Sequence, residues 1–109
     1  MSFEDRLENA VTPIVPVCVH GIYTGTSETY CTYDFSESGT LFGDDQPQCV
    51  AYSASLHLIL PLRSDPRSIK RNLRRSLMQA GFLVGMITDA SDEDTLHYVF
   101  DLEDFDGEV

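Results

Sequence analysis

Residues 50–60, VAYSASLHLIL, carry the alternation that decides the fold. Val50, Tyr52, Ala54, Leu56, Leu58 and Leu60 are apolar, while Ala51, Ser53, Ser55 and His57 are small or polar until Ile59 breaks the pattern. Successive side chains of a strand point to opposite faces, so a period of two predicts a long strand with one face on a core. Residues 61–65 then turn the chain, with Ser64 or Asp65 as a helix cap and Pro66 just inside the first helical turn. From there the period changes. Over residues 66–80, Ile69, Leu73, Leu77 and Ala80 share one stripe at helical spacing, and Gly81 supplies the stop.

Working outward, Ser2 and Asp5 have the form of a capping box, and Phe3, Leu7, Ala10 and Val11 repeat at helical spacing until Pro13. Residues 14–19 favour a strand, but Pro16 cannot donate to a ladder, which places that strand at a sheet edge or delays its start. Residues 29–35, TYCTYDF, are dense in aromatic and β-branched side chains between turn-rich flanks and predict a strand. Residues 36–47, SESGTLFGDDQP, have the composition of a long exposed loop with Leu41 and Phe42 in its middle. Residues 82–88 and 95–102 predict a terminal hairpin, the second strand alternating Leu96, Tyr98, Phe100 and Leu102 against Thr95, His97, Val99 and Asp101. The acidic stretch 103–109 reads as a frayed tail. The predicted order is α-β-β-β-α-β-β, a single α+β domain over residues 1–109. It has a mainly antiparallel sheet of four to five strands and two helices on one face.

Charge is segregated along the same chain. Six of the seven basic residues fall between Arg63 and Arg75 and, set against Asp65, give that window +5. The remainder carries one Arg against seventeen carboxylates, and the whole chain is −11. An anionic body disfavours general attraction to nucleic acid or anionic membrane, because binding by counterion release requires a cationic surface. The basic stretch admits three readings: the solvated outer face of an amphipathic helix, a protein interface, or a phosphate contact. No aromatic stacking residue is interleaved with the arginines, which weighs against the last. Arg67, Lys70, Arg71, Arg74 and Arg75 are the candidate interface residues, joined by Leu41, Phe42, Asp44 and Asp45 of the acidic loop.

Catalytic chemistry finds no support. The chain lacks a phosphate-cradling glycine loop, a nucleophile elbow, a HExxH helix and an EF-hand loop. His20, His57 and His97 are widely spaced and read as half-buried strand residues. Cys18, Cys31 and Cys49 are odd in number, show no CxxC and lie in apolar runs, so they read as buried free thiols. No apolar run approaches the roughly 20 residues of a membrane span, and residues 2–5 do not resemble a signal peptide, so the expected location is inside a cell. Neither an enzymatic activity nor a cofactor is expected.

In this order the elements resemble the small tail-completion or tail-terminator proteins of tailed bacteriophages and prophages. The likeness rests on the short N-terminal helix, YCTYDF at residues 30–35, LFGDDQP at 41–47 and VAYSASLHLIL at 50–60. It continues through the basic helix ending in Ala80, Gly81 and Phe82 to LHYVFDLE at residues 96–103. The resemblance implies a virion structural protein assembled in the bacterial host cytoplasm. It implies a homo-oligomeric ring, commonly a hexamer, that caps the tail-tube protein and meets the head-connector protein. DNA would pass through the lumen without specific binding. Two other functions fit the charge: an acidic DNA-mimic inhibitor, and a nucleic-acid-binding regulator using the helix 66–80.

Overall fold

The computed structural model describes residues 2–41 and 47–106. Two helices, α1 (Phe3–Val11) and α2 (Pro66–Gln79), accompany five strands: β1 (Cys18–His20), β2 (Tyr30–Leu41), β3 (Pro47–Pro61), β4 (Leu83–Asp89) and β5 (Thr95–Asp106). The strands lie side by side in the order β1-β2-β3-β5-β4. β1 runs parallel to β2 and every other pair is antiparallel. This is the expected α+β architecture with the expected element order.

The alternation of residues 50–60 does what a period of two requires. Ala54, Leu56, Leu58 and Leu60 are buried, in register with Cys31 and Tyr33 of β2 on one side and with Tyr98, Phe100 and Leu102 of β5 on the other. All of these side chains share one face, and Phe3, Leu7, Ala10 and Val11 of α1 with Leu73 and Leu77 of α2 complete the same core. The opposite face carries Thr32, Asp34, Ser55, His57, His97 and Asp101. The caps also follow the sequence: Ser2 accepts a hydrogen bond from the Asp5 amide, and Asp65 accepts one from the Arg67 amide. After the Ala80 cap the chain leaves α2 through Gly81 at φ 98°, a left-handed conformation that a Cβ disfavours.

Two expectations require correction, and the start of the first strand is now fixed. Residues 36–47 are not one long loop, because β2 continues to Leu41 and β3 begins at Pro47. Ser, Glu and Gly have low strand propensity, but Ser36, Glu37 and Ser38 pair with Ser53, Tyr52 and Ala51 of a long neighbour whose ladder overrides that preference. The first strand lies at the sheet edge and starts late, at Cys18, as the presence of Pro16 implies; the segment after α1 stays wound, with Ile14 and Val15 both donating to the Val11 carbonyl. The tail does not fray from residue 103. Glu103, Asp104 and Phe105 pair with Ser53, Tyr52 and Ala51, and Asp104 is buried against Arg6.

Candidate interaction surface

Helix α2 lies against β4, the last strand of the sheet, and sets its basic residues along that border. They do not behave alike. Arg67 folds back on its own cap, donating through Nε and Nη2 to the Asp65 carboxylate at 3.1 and 3.0 Å. Those hydrogen bonds hold the Asp65 carboxyl down at about 2. Lys70 reaches inward, with Nζ 4.3 Å from the centre of the Tyr98 ring, a cation–π contact. Arg63, before the helix, pairs with Glu28. Among the described residues this leaves Arg71, Arg74 and Arg75 without a salt bridge, beside a groove of 640 Å³ that Met78, Gln79 and Ile87 help to line. Met78 is 54% exposed there. The groove combines an apolar floor with a cationic rim, the composition of a protein contact site.

The five basic candidates therefore divide into Arg71, Arg74 and Arg75, which face outward, and Arg67 and Lys70, which are already engaged. Leu41 ends β2, and its backbone is opposite Pro47. Phe42, Asp44 and Asp45 lie outside the described residues, as does the side chain of Cys49.

A second exposed apolar group escaped the sequence reading. Leu83, Met86 and Phe105 are 57%, 70% and 57% exposed. A register shift between Val84 and Ile87 interrupts β4, and Met86 sits inside it. Phe105 falls in the stretch whose composition reads as a tail, but its odd position in β5 puts it on the face opposite Phe100 and Leu102. That parity was the available signal.

Two of the three histidines meet. His57 on β3 and His97 on β5 approach to 2.8 Å between Nδ1 and Nε2 on the face away from the helices. His20 stacks on Tyr33 and lies near Glu4. Among the described residues no group of three or more His, Cys, Asp and Glu gathers closely enough to hold a metal ion. The His97 imidazole titrates lower than usual, first because burial disfavours its charge and second because of His57, with Asp92 opposing. Cys18 and Cys31 are partners across β1 and β2. Burial pushes the Cys18 thiol up to about 12 and raises Cys31 as well, which keeps both in the unreactive protonated form.

The His97 shift has a sign that can be tested. A lowered native pKa means that the unfolded chain binds the proton more readily, so stability is full above the ordinary histidine value near 6.5. It then falls as pH drops through that value and levels off below the native one. Thermal melts between pH 7.5 and 5 are expected to show this loss, and His97→Gln is expected to flatten it. A wild-type melting temperature that rises on acidification over that range would contradict the assignment.

Among the described residues no helix is long and apolar enough to cross a membrane. No family model matches the chain, and no curated protein matches it in sequence. A solved structure whose name states no activity superposes with a TM-score of 0.62, covering 98% of this chain and 91% of that one at 13% sequence identity. A likeness at that identity is a likeness of fold.

Proposed function

We propose that the chain is a structural protein of a phage or prophage tail, a ring-forming tail terminator that caps the tail tube and joins it to the head connector. The observation that carries this reading is the rim of three arginines, Arg71, Arg74 and Arg75, left without a salt bridge around an apolar groove at one border of the sheet. Arginines on an acidic chain need carboxylates, and in a ring the neighbouring copy supplies them. The reading needs no catalytic group. It gives the anionic excess a use as well, since a lumen of like charge lets DNA slide without being held.

Native mass spectrometry of the protein, alone and with the tail-tube protein, tests the proposal. A closed oligomer, six copies in the form expected, that binds the tube protein is the supporting result. A tight one-to-one complex with a basic host protein and no self-association would establish the DNA-mimic function instead. Retardation of DNA at low salt that vanishes steeply as salt is raised would establish the regulator.

A further inference from the structure

A closed ring needs two different patches on every copy, and the groove beside α2 is one of them. We infer that its counterpart is the opposite border of the same domain, formed by α1 with the outer edges of β1 and β2. Copies then join border to border, arginines against carboxylates. The inference rests on the ring proposed above and names the surface that closes it.

The strand order puts β1 and β2 at one border and β4 at the other, and each border has its own helix, since α1 packs on β1 and α2 on β4. Charge follows that division. On α1, Glu4 Oε2 lies 3.9 Å from His20 Nδ1 on β1, and Glu8 accepts a hydrogen bond from the Tyr33 hydroxyl on β2, so both carboxylates reach toward the outer border. Arg6 turns the other way, to the Ala80 carbonyl and Asp104. β1 covers β2 only from Cys31 to Tyr33, so from Asp34 onward the outer edge of β2 has no strand beside it among the described residues, and Asp34 and Glu37 are exposed there. Across residues 2–41 Arg6 is the one Arg or Lys. The border of α2 and β4 has the reverse character, with Asp89 the lone carboxylate within either element.

Two further features suit the pair. Ile22, 85% exposed two residues after β1, offers an apolar side chain for the floor between Met78 and Ile87, inside a charged rim. The shift between Val84 and Ile87 breaks the free edge of β4, a device that discourages another strand from pairing there, so the contact is made by side chains.

A complementation experiment separates this contact from the ring itself. In Arg71→Glu/Arg74→Glu the arginine rim gains two carboxylates that face the acidic border of the next copy, and in Glu4→Lys/Glu37→Lys the acidic border gains two cations that face the arginine rim. Each variant, checked for a wild-type circular dichroism melt, is expected to lose the oligomer in native mass spectra, because like charges meet at every junction. An equimolar mixture is expected to restore it, since each copy now finds its complement on both sides, with equal numbers of the two variants in each ring. If the wild type forms rings while either variant also does so alone, or while the mixture stays monomeric, the proposed contact is wrong and the ring stands. A wild type that gives no oligomer, alone or with tube protein, overturns both.

Discussion

Arg6→Ala is expected to lower the free energy of unfolding by about 3 kcal/mol, the lower end of the range for removing one partner of a buried ion pair, because the Arg6 side chain is itself 31% exposed. Asp104 is only 4% exposed, and the Arg6 guanidinium is its counterion. Nη1 donates to Oδ2 and Nη2 to Oδ1, while Nη2 also donates to the Ala80 carbonyl and the guanidinium lies 4.9 Å from the centre of the Phe82 ring. One side chain thus ties α1, the end of α2 and β5 together. Without it a carboxylate stays in the interior with no opposite charge, and the α2 cap loses a donor. Urea unfolding measures the difference. Arg71→Ala is the control, because a surface change away from such features stays within about 0.5 kcal/mol. If both variants unfold at the wild-type midpoint, Asp104 is not the buried charge described above.

Arg6 also shows which parts of this structure the sequence could and could not reveal. Features set by near neighbours were legible: the Ser2 and Asp65 caps, the stop at Gly81, the core stripe of α2 and the inward residues of β3 and β5. Features set by distant partners were not. Glu37 and Ser38 are strand residues because Tyr52 and Ala51 lie beside them, and Asp104 is ordered because Arg6, 98 positions away, neutralises it. The basic run was visible at once, but its division was not. Only the fold brings Tyr98 under Lys70 and turns Arg67 onto its cap, leaving Arg71, Arg74 and Arg75 as the outward set. The acidic border was hidden for the same reason, its carboxylates being scattered from Glu4 to Glu37 until the sheet gathers them.

Phe100→Ala should be at least as damaging as the loss of Arg6, about 3–5 kcal/mol, through a different cause. Phe100 is fully buried on β5, in register with Leu56 of β3 and with Ile87 of β4. Truncation removes the transfer energy of the ring and leaves a cavity in a layer that strands on both sides hold in place, so collapse into the space is limited. Phe105, five residues along the same strand, is 57% exposed on the opposite face, and Phe105→Ala is expected to change stability by less than about 1 kcal/mol. The pair of variants asks which face of β5 the core occupies, a question decided by the alternation that began in residues 50–60. Leu73 and Leu77 hold α2 on that same core, so loosening it also loosens the platform under Arg71, Arg74 and Arg75. Phe100→Leu, which refills most of the volume, should therefore recover both the unfolding midpoint and assembly. Equal midpoints for Phe100→Ala and Phe105→Ala would mean that the two faces of the sheet have been assigned the wrong way round.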